Sequence, residues 1–133
     1  MKLFIDGGCS GNDQKDMRKR RMISVVADER NNILIEEKSR GGSNNIAEFI
    51  ALYEAIRYCV ENKIENVEII TDSKNNLSWF NGQLKKRKQN NFEWILSIRN
   101  QIDRTRKQVN INLIWRPREE NLAGRYIESK FKL

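Results

Sequence analysis

Histidine is absent from this 133-residue chain, cysteine occurs twice and proline once. Without imidazole, any carboxylate set among apolar neighbours must be offset by Arg, Lys, backbone donors or a hard cation such as Mg²⁺, which prefers oxygen ligands. Cys9 and Cys59 are far apart and lack the CxxC or Cys/His spacing of zinc sites. They read as two reduced thiols, with Cys59 in a helix core. No apolar run approaches the length of a membrane span. The opening Met1-Lys2-Leu3-Phe4-Ile5 reaches an acid too soon for a signal peptide. A soluble, cytoplasmic monomer is expected. No internal repeat, low-complexity tract or linker is found, so residues 1–133 read as a single domain, large enough for a core without disulfides.

Charge supplies the first positive indication. The formal net charge is +7, and such a balance points to an anionic partner, most often nucleic acid.

Periodicity then orders the chain. Residues 2 to 9, 21 to 27 and 33 to 37 alternate as strands, the latter two joined by the turn-like Asp28 to Asn32. From Asn45 to Asn62 the apolar residues Ile46, Phe49, Ile50, Tyr53, Ile56 and Val60 recur at helical spacing. Val67 to Thr71 is a short buried strand, followed by a helix from Lys74 to Phe80 that Asn81-Gly82 ends. A second long helix spans Phe92 to Arg106. A last strand runs from Val109 to Trp115 and stops at Pro117, and a terminal helix runs from about Glu119 to Lys130. The order β-β-β-α-β-α-α-β-α predicts an α/β fold. Its mixed five-stranded sheet has three antiparallel strands, then two parallel to the first, flanked by helices.

Three acids stand at junctions of this pattern. Asp6 and Asp72 each end an apolar strand-like run, and Glu48 shares a helix face with Leu52, Ala55 and Cys59. Each has an ordinary alternative: Asp6 in turn chemistry with Gly7-Gly8, Glu48 at a helix dipole, Asp72 as a helix N-cap. Those alternatives leave the phrase Asn44-Asn45-Ile46-Ala47-Glu48 unexplained.

That phrase, with Asp6-Gly7-Gly8 and Thr71-Asp72-Ser73, resembles the three successive acidic motifs of the ribonuclease H family. Trp115-Arg116-Pro117-Arg118-Glu119-Glu120-Asn121 is similar to the segment entering the family's final helix. The resemblance covers essentially the whole chain. It implies a ribonuclease H-like fold and a type 1-like endonuclease that cuts the RNA strand of RNA/DNA hybrids, leaving 5′-phosphate and 3′-hydroxyl ends. It also implies two Mg²⁺ ions, with Mn²⁺ as a possible substitute. Such ions, about 4 Å apart, clamp the scissile phosphate; one generates hydroxide and the other stabilises the leaving 3′-oxygen. By the same resemblance Asp6 is the bridging ligand, Glu48 serves the leaving-group side and Asp72 the nucleophile side. Gly7, Gly8, Cys9, Asn44 and Asn45 take the positions that read 2′-hydroxyls; Asn44-Asn45 also suits helix-entry capping. Lys85, Lys86, Arg87 and Lys88 form a basic run where some members carry a basic handle, and are expected to hold phosphates. Two other readings stay open: a different nuclease on this fold, and a catalytically silent hybrid-binding module.

One departure stands out. The family pattern Arg-x-x-Asn-x-x-Ala-Asp aligns Arg118, Asn121 and Gly124, and places Arg125 where the fourth carboxylate belongs. Arg125 is then expected to pair with Glu128 or to contact a substrate phosphate. Glu128, one helical turn on, is expected to reach back and supply the missing charge at the metal site.

Overall fold

The apolar alternation of the strands is satisfied in one sheet. The computed structural model describes residues 1–11, 16–83 and 92–131; the basic run at 85–88 lies outside the described residues. The strands are β1 (Lys2–Ser10), β2 (Arg21–Asp28), β3 (Ile33–Arg40), β4 (Asn66–Thr71) and β5 (Asn110–Trp115). The helices are α1 (Asn44–Glu61), α2 (Lys74–Phe80), α3 (Phe92–Thr105) and α4 (Leu122–Phe131). The sheet order is β3-β2-β1-β4-β5, with β1 antiparallel to β2 and parallel to β4, and β4 parallel to β5. This is the expected ribonuclease H-like arrangement. It follows from a hairpin-linked trio and a crossover through α1 that sets β4 beside β1.

The two faces of the sheet carry separate cores. Leu3, Ile5 and Cys9 point toward α1 and pack with Phe49, Leu52, Ile56 and the α3 residues Ile95, Ile98 and Ile102. Ile23, Val25 and Ala27 of β2 face the other way, onto Ala123 and Ile127 of α4. Each buried Leu or Ile contributes roughly 1.5–3 kcal/mol. Phe49 and Trp79 meet edge to face at 5.2 Å between centroids, which fixes α2 against α1. Both thiols, Cys9 and Cys59, are buried and unbridged.

Two boundaries depart from the sequence pattern. β3 continues to Arg40 because the ladder to β2 runs on through Arg21↔Arg40, although Lys38-Ser39-Arg40 lacks apolar alternation. The terminal helix starts at Leu122, not Glu119. Arg118–Glu120 forms a 3₁₀ turn, Asn121 is extended (φ −100°, ψ 105°), and its Oδ1 accepts the amide hydrogens of Ala123 and Gly124. Asn121 is thus the cap of α4.

Candidate active site

Strand register brings two of the acids together. The last paired residues of β1 and β4 are Phe4↔Ile70. Two residues beyond each lie Asp6 and Asp72, level with one another and, by the two-residue side-chain period, on the same face. Asp72 follows the carboxyl end of β4, where open α/β sheets place their ligands, while Asp6 lies mid-way along β1, just past its last pairing with β4. Ser73, not Asp72, caps α2: its Oγ accepts the Asn76 amide at 3.1 Å. The capping alternative for Asp72 is thereby removed.

Glu48 arrives from α1 on the opposite side of β1. The approach depends on Gly7: a Cβ there would lie 2.3 Å from both the Ala47 carbonyl carbon and the Glu48 nitrogen. Side-chain hydrogen bonds then fasten α1 in place. Ser24 Oγ donates to the Ala47 carbonyl at 2.7 Å, and Asn76 Nδ2 donates to the Glu48 carbonyl at 3.0 Å. From the α4 side, Asn121 Nδ2 donates to the Ile5 carbonyl at 2.8 Å. Trp115 Nε1 donates to the Asp72 carbonyl at 3.1 Å. One carboxylate oxygen from each of Asp6, Glu48 and Asp72 lies within 4.8 Å of the others.

Burial makes this cluster electrostatically costly. Asp6 is 1% exposed, and neither of its carboxylate oxygens has a hydrogen-bond partner; Asp72 Oδ2 likewise lacks one. Desolvation, then repulsion from Asp72 and Glu48, pushes the Asp6 pKa up to about 8, against a lowering by Arg118. Burial raises Glu48 to about 7, with a Ser73 hydrogen bond pulling the other way. Asp72 is also raised by burial, with Arg118 opposing. The buried Asp6 and Asp72 oxygens that lack hydrogen bonds, together with the Glu48 carboxylate, form an all-oxygen donor set that fits a hard divalent cation.

The fourth position differs from the expectation. Arg125 is exposed on α4. The residue that faces the cluster is Gly124, where a Cβ would stand 3.1 Å from Asp6 Oδ2 and 3.6 Å from Asp72 Oδ2. Glu128 is not part of the acid group. Its carboxylate pairs with Arg118 Nε, so its expected pairing with Arg125 is not found. Arg118 Nη1 lies 3.5 Å from Asp6 Oδ2 and 3.6 Å from Asp72 Oδ2. Sequence reasoning used Arg118 only as an alignment anchor, three residues before Asn121, and assigned it no contact with the acids.

Around this centre, Gly7, Gly8 and Cys9 follow Asp6 along β1. Asn44 and Asn45 are exposed at the start of α1, and the cap there is Ser43, whose Oγ accepts the Ile46 amide. A cationic recess of about 290 Å³, lined by Arg18, Lys19, Arg20, Arg21 and Arg40, was missed from sequence. The run Arg18-Lys19-Arg20-Arg21 was the available signal. Arg21 lies opposite Ser10 of β1 and Arg40 of β3. Ser10 is four residues from Asp6 and on the same face, about 13 Å along the strand. Like charges directly opposite one another destabilise a strand pair, so Arg21 and Arg40 stand to gain from an anion.

Comparisons agree with this geometry. Residues 1–121 match the family model for RNase H. No curated protein matches the chain in sequence. Among solved structures, the N-terminal RNase H domain of rv2228c from Mycobacterium tuberculosis superposes with a TM-score of 0.65 at 21% identity, covering 92% of each chain. RNase H1 from the halophilic archaeon Halobacterium salinarum gives 0.64 at 17% identity, covering 99% of this chain and 98% of that one. LC11-RNase H1, solved in complex with an RNA/DNA hybrid, gives 0.62 at 24% identity, covering 90% and 87%. The chain belongs to the RNase H family and is a ribonuclease H-type hydrolase.

Proposed function

We infer that the chain is a divalent-metal-dependent endonuclease that cuts the RNA strand of RNA/DNA hybrids and leaves 5′-phosphate and 3′-hydroxyl ends. The observation that carries this reading is the convergence of Asp6, Glu48 and Asp72 oxygens, with both Asp6 oxygens buried and without a hydrogen-bond partner. These three residues would hold Mg²⁺, two ions in the full site, with Mn²⁺ as a substitute. When bound, divalent ions there would supply Lewis acidity to phosphate oxygens and a lowered pKa for attacking water. Asp6, from β1 at the centre, contributes the charge shared by both sides of the site. Glu48 and Asp72 bracket it from α1 and from the end of β4. The backbone of Gly7, Gly8 and Cys9 and the exposed amides of Asn44 and Asn45 would meet 2′-hydroxyls, which distinguishes RNA from DNA. Lys85, Lys86, Arg87, Lys88 and Arg125 would add phosphate contacts. The hybrid bound by LC11-RNase H1 supports this choice of substrate.

The test is an end-labelled hybrid offered beside duplex DNA, duplex RNA and each single strand, with Mg²⁺, Mn²⁺ or EDTA. RNA-strand cleavage confined to the hybrid and lost in EDTA is expected, with 3′-ends that a polymerase extends. Preferential cutting of duplex DNA would indicate a different nuclease. Tight hybrid binding with no cleavage under either metal would indicate a silent binding module.

Binding should also depend strongly on salt, since neutralised phosphates release counterions. Arg21→Gln with Arg40→Gln is expected to weaken hybrid binding severalfold. It should also reduce the slope of log affinity against log salt by about 1–2. A slope equal to wild type, measured by fluorescence anisotropy, would return the recess to an ordinary solvated surface.

A further inference from the structure

We propose that Arg118 is a built-in counter-ion of the Asp6–Asp72 pair, held in place by Glu128, and that it sets how tightly the site takes metal. The inference rests on the metal-dependent reading above and extends it to a positioning residue. One guanidinium spans three carboxylates from three elements. Nη1 lies 3.5 Å from Asp6 Oδ2 and 3.6 Å from Asp72 Oδ2, while Nε pairs with Glu128 on α4. Those two Asp oxygens are the same two that a side chain at position 124 would approach first. Among the described residues the acid group holds three carboxylates, and the flank of the Asp6–Asp72 pair is met by the Arg118 cation.

The geometry also indicates that the contact is exchangeable. Distances of 3.5 and 3.6 Å are charge contacts beyond hydrogen-bond range. The Arg118 side chain is 47% exposed, so it can leave toward water with little displaced packing. Glu128, itself 57% exposed, offers the guanidinium a carboxylate outside the cluster. A divalent cation and Arg118 therefore compete for the same negative charge. Glu128 acts on the metal only through Arg118.

Mn²⁺ binding measured by calorimetry on the full chain, with melting temperature in EDTA and in Mn²⁺, tests this without reference to turnover. Arg118→Ala is expected to bind Mn²⁺ about tenfold more tightly, the scale of effect of a unit charge within about 4–6 Å of a carboxylate. It should melt lower in EDTA and gain more from added Mn²⁺ than wild type does. Arg118→Lys keeps the charge, guards against a folding defect in the alanine variant, and should bind with near-wild-type affinity. In the Arg118→Ala background, Glu128→Gln should leave Mn²⁺ affinity unchanged. Unchanged or weaker Mn²⁺ binding by Arg118→Ala overturns the counter-ion role. A loss of affinity on adding Glu128→Gln to Arg118→Ala overturns the indirect role of Glu128 and makes it a member of the metal shell. Wild-type binding is read in the same titration. If neither wild type nor Arg118→Ala takes up Mn²⁺, the metal-dependent reading fails with the proposal, whereas metal uptake without a difference sinks the proposal alone.

Discussion

Asp6→Asn is expected to lower hybrid cleavage about a thousandfold or more, while making the protein more stable at pH 8 in EDTA. The loss of rate follows from the central position of Asp6 among the oxygen donors, since metal-derived stabilisation of a phosphoryl transition state amounts to several kcal/mol. The gain in stability follows from its burial. The Asp6 carboxyl titrates near 8 in the fold against an ordinary 3.8. Between those values the folded state therefore binds more protons than the unfolded chain, and stability falls as pH rises. The contribution is fully present below about pH 4 and is lost as pH passes through about 8. Glu48, raised to about 7, adds a slope of the same sign. An asparagine carries no charge and can donate to the neighbouring carboxylates. At pH 8 the variant should gain roughly 2–4 kcal/mol, with the gain shrinking toward pH 5. Urea unfolding at pH 5 and pH 8 in EDTA reads this directly. Equal stability of the two proteins at pH 8 would mean that the carboxylates are not held under strain.

The acids were legible in sequence because each sits at a junction that local pattern marks. Asp6 and Asp72 each close an apolar run in the sequence, and a β-α-β order sets those runs parallel and adjacent, although β1 itself continues past Asp6 to Ser10. The register Phe4↔Ile70 that makes them level is a matter of packing, which periodicity does not encode. The choice of cap at α2 was equally hidden. Asp72 and Ser73 are both good N-caps, and what decides between them is the burial of Asn76, whose amide meets Ser73 Oγ. The surroundings of the fourth position were hidden because they depend on packing: Asn121 is extended, and the helix that follows turns Gly124 toward Asp6. Arg118 was aligned, but its contact with the acids was not legible, because it depends on where the 3₁₀ turn Arg118–Glu120 delivers it. The polar end of β3 was missed because its pairing with β2, not its own alternation, makes it a strand.

Gly7→Ala is expected to damage the fold and the site together, and its effect separates steric from chemical roles after the first acid. Gly7 is fully paired within β1, opposite Ser24, so left-handed backbone freedom is not what the position demands. The demand is space. A methyl group there would meet the Ala47 carbonyl carbon and the Glu48 nitrogen at 2.3 Å, and the Ala47 Cβ at 2.7 Å. Backbone atoms of a packed helix cannot swing aside as a side-chain tip can, so the first turns of α1 must lift off β1. Overpacking of this kind costs about 3 kcal/mol or more, which lowers the melting temperature by roughly 10 °C. The lift also carries Glu48 away from Asp6 and Asp72, and a displacement of about 1 Å at a reacting centre costs roughly a hundredfold in rate. Adding Ala47→Gly removes only the longest of the three contacts and should restore neither stability nor activity. Rescue by Ala47→Gly would show that the obstruction lies with the side chain, and the account of Gly7 as the seat for the α1 backbone would fall.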